Sequence, residues 1–251
     1  MIGTIKKATK ILNVISEGKN LPVSLMKIST ETGINKATCS HIISTLVEEG
    51  YLKKISHSAG YVIGPGIFSL SRFGRYKDDL VSICHPVMKW LQNKTQATVI
   101  LAVIEGNHKY TIDYLDPQKI FFSRQLNIMP DDIFRTATGK IILANMPLKD
   151  SYEICRKEFG DNNESVQIIQ DELAKINKKG IVKTYQEQDN HNILGYGAAI
   201  FNYSNCVGAI GVAVSCFPEE YKDNSIEEEN LKTNLLKARD EISRRLKYNY
   251  N

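Results

Sequence analysis

The chain has 251 residues, 42 % of them apolar and 24 % charged, enough for one large or two modest domains with cores that need no disulfides and too balanced a composition for disorder. No apolar run approaches the roughly eighteen residues of a membrane span, and the opening MIGTIKKATKILNVISEGKN carries polar residues in every turn and no signal cleavage site. The net charge of +4 is unevenly spread. Residues 1–76 hold ten Lys or Arg against four acids, a balance of +6, and the remainder holds 22 bases against 24 acids. A basic front on a slightly acidic body points to two tasks, the first with a polyanion as partner. Five cysteines (Cys39, Cys84, Cys155, Cys206, Cys216), an odd count without a CxxC pair, point to reduced thiols in a cytoplasm rather than a disulfide framework or zinc ribbon.

Ile5, Ala8, Ile11/Leu12 and Ile15 recur at helical spacing with lysines on the other side, and Gly18 ends that helix. Ser24 is placed to cap a short second helix with Leu25 and Ile28 inward. Gly33 suits the left-handed residue that closes it, and Asn35 is a strong cap for a third helix from Lys36 to about Glu49. Cys39, Ile42, Ile43, Leu46 and Val47 form the buried stripe of that helix. Lys36, Ala37, Ser40, His41, Ser44 and Thr45 are left facing outward. Such small or hydrogen-bonding groups can enter a major groove and reach base edges, while Asn35 and Thr38 are expected at phosphates. After Gly50, Tyr51–Ile55 and Tyr61–Ile63 read as a hairpin, a wing with His57 and Ser58 at its tip and Lys53 and Lys54 beside it. Three helices, a glycine turn, a wing and a local +6 agree on double-stranded DNA as partner.

Tyr76, Leu80, Ile83, Val87, Trp90 and Leu91 predict a connecting helix over Arg72–Gln96, kinked or restarted at Pro86. Strands are expected at Ala97–Val103, Lys109–Leu115, Ile120–Leu126, Gly180–Thr184, Gly195–Phe201 and Val207–Ser215. Helices are expected at Thr138–Asn145, Leu148–Lys157, Ile169–Lys178 and Ile226–Lys247. The last opens on Glu227, Glu228 and Glu229 and closes on Arg244, Arg245 and Lys247, matching the helix macrodipole. This order describes an α+β protein, an antiparallel sheet flanked by helices.

The stretch IKKATKILNVISEG, followed by LMKISTETGINKATCSHIISTLVEEGYL and AGYVIGPGIFSL, resembles the N-terminal winged helix-turn-helix of IclR-type bacterial transcriptional regulators. In the body, Phe134–Lys140 resembles that family's small-residue stretch ending in Gly-Lys, Tyr196–Ala199 falls at its Cys-Ile-Ala-Ala run, and Val207–Ser215 resembles its late strand. The resemblance implies a two-domain chain. A winged helix-turn-helix over 1–72 and a linker helix over 73–95 would precede a GAF/profilin-like effector-binding domain over 96–251. It further implies a homodimer or homotetramer on a palindromic operator and a small effector, commonly an organic or aromatic acid. Ala137, Thr138 and Gly139 open a helix whose backbone N–H groups can hold a carboxylate. By position, Thr184, Tyr196, Ala213 and Ser215 would line the other side. The chain departs from the family pattern at Ser40-His41, at Val62, at Thr184-Tyr185-Gln186 where an acidic pair is usual, at Tyr196 and at Ala213. A phenol at Tyr196 is expected to shrink the pocket or add a hydroxyl donor.

Other chemistry is not expected. Ala137-Thr138-Gly139-Lys140 fails as a phosphate loop because Phe134 and Ile141 occupy the required glycine and Ser/Thr places, and no glycine set makes a dinucleotide fingerprint. The five histidines (His41, His57, His85, His108, His191) lack metal-ligand spacing, and the doublets Asp78-Asp79 and Asp131-Asp132 point apart or into solvent. We therefore expect no catalytic residue, metal or cofactor. Cys206 and Cys216 flank one strand as candidates for redox sensitivity. Two other readings stand beside the regulator: a GAF-like sensor or enzyme with a basic docking module, and a DNA-binding scaffold without an effector.

Overall fold

In the computed structural model the chain is described over residues 2–18, 21–56, 59–72, 77–116, 133–160, 163–188, 191–216 and 225–249. The expectations for His57, Ser58, Tyr76, the strand at Ile120–Leu126 and the doublet Asp131-Asp132 lie outside the described residues. Two units divide at Tyr76 and Lys77.

The first unit contains α1 (Gly3–Ser16), α2 (Leu25–Thr32), α3 (Lys36–Glu48), β1 (Leu52–Ser56), β2 (Gly60–Ile63) and α4 (Pro65–Arg72). Its core gathers Ile11 and Ile15 of α1, Ile28 of α2, and Cys39, Ile42 and Ile43 of α3, with Val23, Ile34 and Leu52. Ser24 caps α2 by accepting from Lys27 N at 3.3 Å, and Gly33 ends it at φ +67°. Asn35 Oδ1 caps α3 by accepting from Thr38 N at 2.9 Å. The antiparallel wing is extended by Val23, which exchanges both main-chain hydrogen bonds with Tyr61. Gly60 makes that pairing possible, because a Cβ there would lie 2.3 Å from Val23 O.

The second unit contains α5 (Asp78–Thr95), β3 (Thr98–Glu105), β4 (His108–Leu115), α6 (Ala137–Asn145), α7 (Leu148–Phe159), α8 (Asn163–Lys179), β5 (Val182–Gln188), β6 (His191–Asn202), β7 (Asn205–Cys216) and α9 (Ser225–Asn249). The five strands pair antiparallel in the order β4-β3-β7-β6-β5. One face of the sheet buries Leu194, Tyr196, Ala198 and Ile200 of β6 with the apolar stripes of α5 and α9. The other buries Ala199 and Ala209 against α6, with α8 behind it. Period-two alternation along β6 thus separates two cores, one on each side.

Several boundaries differ from the sequence expectations. The segment read as a linker helix is from Lys77 onward part of the second unit, because Leu80, Ile83, Cys84, Val87, Met88 and Leu91 pack into its core. Pro86 lies on the exposed side of an uninterrupted α5, where the carbonyl it leaves without an N–H partner can meet water. Trp90, expected in the stripe, is exposed. Gly180 does not begin a strand but sits beyond α8 at φ +67°, its N–H donating to Ile176 O at 3.2 Å. Helix α8 starts six residues before Ile169; Asn163, Glu164 and Ser165 are polar, and Val166 already belongs to the buried stripe with Leu173 and Ile176.

A polar cluster ties three elements together on the α9 side. Tyr196 Oη donates to Glu228 Oε2 at 2.6 Å, and Lys183 Nζ donates to the same carboxylate at 2.8 and 3.0 Å. The ammonium groups of Lys183 and Lys232 stand 6.0 and 5.6 Å from the Tyr196 ring centre. Elsewhere, His85 Nδ1 on α5 meets Asp113 Oδ2 on β4 at 2.7 Å. Burial works against the Glu228 charge, but hydrogen bonds from Lys183 and Tyr196 outweigh it and hold the carboxyl below its ordinary value. A depressed folded value means that this stabilisation is present above the unfolded carboxylate range and is lost as pH falls through the folded one. Glu228→Gln is therefore expected to destabilise the protein by about 1 kcal/mol at pH 7. Urea titrations at pH 7 and pH 3.5 check this, since the gap between variant and parent should shrink at the lower pH.

Candidate functional site

The helix-turn-helix geometry follows from which side of α3 the core takes. With Cys39, Ile42 and Ile43 buried, Lys36, Ala37, Ser40, His41, Ser44 and Thr45 are all exposed. Asn35 spends its carboxamide oxygen on the cap and keeps its amide nitrogen as a donor, so one residue both starts the helix and can reach a phosphate. Thr38 is half-buried beside it, and Thr45 Oγ1 donates back to His41 O at 3.3 Å. Lys53 is exposed on β1, opposite Val62. Lys54 stands with Nζ 6.0 Å from the Tyr61 ring centre. His57 is outside the described residues.

In the second unit a cavity open to solvent lies on the α6 side of the sheet. Its walls come from β3 (Ile100), β4 (Lys109, Thr111), β5 (Thr184, Gln186), β6 (Ile193) and β7 (Ala213), with Thr136, Ala137 and Thr138 above them. Glycines bring the helix this close. A Cβ on Gly197 would lie 2.5 Å from Ala137 O, and one on Gly211 would lie 2.6 Å from a Thr138 methyl. Thr136 caps α6, its Oγ1 accepting from Gly139 N at 3.2 Å.

The cavity brings together Ala137, Thr138, Thr184 and Ala213 of the expected set. The other three expected residues stand differently. The Gly139 N–H is taken by the Thr136 cap, and its Cα is pressed against Ile133, where a Cβ would lie 2.1 Å from the carbonyl oxygen. Two amides of the first turn, those of Ala137 and Thr138, are thereby left for a guest. Tyr196 borders the cavity, but strand alternation sends its phenol to the opposite face, to Glu228. It neither narrows the cavity nor offers it a hydroxyl, and burial together with the Glu228 hydrogen bond raises its pKa above the ordinary phenol value. Ser215 pairs in register with Ile193, and its side chain lies outside the described residues.

Sequence reasoning missed Lys109, Thr111, Thr136 and Gln186. The Lys109/Thr111 alternation was a legible signal, but a lysine in a strand next to a turn reads as solvent-exposed, whereas Lys109 is only 3 % exposed. Its Nζ donates to Thr136 Oγ1 at 3.0 Å. A bulge at Ile112 then turns Asp113 to the α5 side, away from Thr111. Burial pushes the Cys84 thiol up to about 12 and that of Cys206 up to about 11, so neither is a thiolate at neutral pH and Cys206 is a poor redox sensor. Among the described residues no group of three or more His, Cys, Asp or Glu is placed to hold a metal, and no helix is long and apolar enough to cross a membrane.

Comparison with known proteins adds the following. Residues 76–244 match the family model for the bacterial transcriptional regulator IclR C-terminal domain, and residues 4–56 match the IclR helix-turn-helix domain. The HTH-type transcriptional regulator TtgV of Pseudomonas putida is 25 % identical over 149 residues, which cover 58 % of this chain and 55 % of that protein. The chain thus spans a little over half the length of the curated relatives it matches first. The crystal structure of the Thermotoga maritima IclR superposes with a TM-score of 0.63 at 25 % identity, covering 99 % of this chain and 100 % of the other. An IclR homologue from Microbacterium hydrocarbonoxydans, complexed with 4-hydroxybenzoate, shares the fold with a TM-score of 0.64 at 14 % identity, covering 98 % and 99 %.

The glycine floor yields a direct test. Gly197→Ala places a methyl group inside van der Waals distance of the α6 main chain, so the helix must lift off the sheet. The expected cost is about 1–3 kcal/mol, read as a lower urea midpoint with an unchanged slope.

Proposed function

The chain belongs to the IclR family of bacterial transcriptional regulators, and from that premise we propose a sequence-specific DNA-binding regulator controlled by a small organic acid. The observation that carries this reading is the exposed face of α3, which offers Lys36, Ala37, Ser40, His41 and Thr45 from the most basic part of the chain. Its N-terminal half enters the major groove, where Ser40 and His41 meet base edges. Asn35, Thr38, Lys53 and His57 meet the sugar-phosphate backbone. Double-stranded DNA is the partner, and a second copy of the chain reads the second half-site of a two-fold operator, as a homodimer or a homotetramer. The work takes place in the bacterial cytoplasm, where DNA and reduced cysteines coexist.

The cavity under α6 holds the effector. The amides of Ala137 and Thr138 belong to a helix N-terminus beside it, which favours an anion, and Thr184 and Ala213 are among its walls. The aromatic acid bound by the Microbacterium homologue supports the same ligand class. An effector shifts DNA binding only if its affinity differs between two arrangements of the chain. Helix α5, packed on α9 and β3 and beginning right after the connection between the units, is the element that transmits this difference.

The test is fluorescence anisotropy with DNA from upstream of the gene against scrambled DNA of equal length over a salt series. Native DNA should bind roughly 10³-fold more tightly near physiological salt. Equal and steeply salt-sensitive binding to both would leave only phosphate attraction. Lys36→Ala is expected to weaken both complexes alike and to lower the salt slope by about 1 if Lys36 meets a phosphate. His41→Ala is expected to lose about 1–3 kcal/mol on native DNA and to relax the preference at one base pair.

A further inference from the structure

An A·T base pair offers the major groove two distinguishing features. One is the adenine edge, whose N6 donor and N7 acceptor are gripped together by the oxygen and nitrogen of an Asn or Gln carboxamide. The other is the C5 methyl of thymine, which takes apolar contact. The 13 residues of α3 include no Asn, Gln or Arg, and none occurs in α2, β1 or β2. Asn35, just before α3, is exposed, but its Oδ1 accepts from Thr38 N at 2.9 Å as the helix cap. The cap aims that oxygen at the first turn of the helix, so the oxygen and nitrogen of this carboxamide cannot grip one adenine together. Thr45 is committed in a similar way, its hydroxyl proton donated to His41 O at 3.3 Å. Ala37, the second residue of α3, is exposed. Side chains three and four residues apart are neighbours on a helix, so the Ala37 methyl adjoins Ser40 and His41 and is the shortest of the three.

From this we infer that α3 recognises an A·T pair of its half-site by the thymine methyl, packed against the Ala37 methyl, and not by the adenine edge. The inference rests on the reading of α3 as the recognition helix, and it names the base that this helix selects beside the one met by His41. Ser40 and His41 flank the seat on its C-terminal side and keep water from the methyl pair. Four residues of helix rise about 6 Å, and base pairs along the duplex are spaced at about 3.4 Å. The selected thymine therefore lies about two base pairs from the pair that His41 reads. Its methyl is a single carbon withdrawn from water, so its loss costs about fourfold in affinity.

The experiment uses the full chain and DNA from upstream of the gene, with the half-site located by footprinting and affinity read by fluorescence anisotropy. Each thymine of the half-site is replaced in turn by deoxyuridine, which lacks only the C5 methyl. Each adenine is replaced by 7-deazaadenine, which lacks the N7 acceptor and still pairs. One thymine per half-site is expected to cost about fourfold on replacement, while its partner adenine costs less than about twofold. Ala37→Gly is expected to bind the native fragment about fourfold less tightly, to bind thymine and deoxyuridine DNA alike, and to keep the parent's affinity for scrambled DNA. Ala37→Ser is the second variant, chosen because serine is well tolerated in a first helical turn, and it too should lose the preference for thymine. If the parent prefers native DNA yet tolerates deoxyuridine at every thymine, the inference is overturned and the DNA reading stands. The same holds if both variants keep the full deoxyuridine penalty, or if 7-deazaadenine costs as much as deoxyuridine at that pair. Equal binding of the parent to native and scrambled DNA overturns both.

Discussion

The second unit depends on how closely α6 lies on its sheet. That approach is permitted because Gly197 and Gly211 carry no side chains on the face beneath it, so the Ala137 carbonyl and the Thr138 methyl occupy the volume of the missing Cβ atoms. Gly139 repeats the device from the helix side, against Ile133. The consequence is functional as well as structural. The first turn of α6, with two amides and a half-buried cap, is held close over the strands, and the space beyond it is the cavity. Small residues cannot fill the sheet face, so the unit carries most of its apolar burial elsewhere, between α5, α9 and the opposite face.

The two faces handle polar groups in different ways. On the α9 side, Tyr196, Glu228 and Lys183 satisfy one another within the chain, and the result is a fixed tie between β5, β6 and the closing helix. On the cavity side, the buried Lys109 donates to Thr136, the cap of α6. Fully satisfied buried networks rigidify a fold, and among the described residues the Thr111 hydroxyl is one buried group without a partner. The same sheet therefore separates the Tyr196 cluster from the cavity, and the alternation of β6 decides which residue stands on which side.

The helix-turn-helix unit rests on a comparable economy. Cys39, Ile42 and Ile43 commit one side of α3 to the core, which leaves the other exposed. Gly33 and the Asn35 cap set where α3 starts. Gly60 lets the wing pair with Val23 just before α2. Each is a local requirement of the backbone, and together they fix which side chains can enter a groove.

How much was legible in the sequence follows from the range of the forces involved. Helix caps, apolar periods and turn glycines act within a few residues, so Ser24, Gly33, Asn35, the stripe of α3 and the wing could all be read from the letters, as could the α+β order of the body. The opening of α6 and the glycine-rich strands were equally visible. Three matters needed tertiary structure. The side on which Tyr196 emerges depends on the strand register, and one step of register exchanges the faces, so a residue expected in the cavity instead ties β6 to α9. Lys109 looks like a surface lysine because nothing near it in sequence reports that Thr136, 27 residues away, buries it beneath α6. Helix α5 reads as a linker because periodicity shows an apolar stripe but not its partner, and only the packing of α9, folded from the far end of the chain, makes it core. Local chemistry determined the elements; long-range packing decided their faces and, through them, which groups line the cavity.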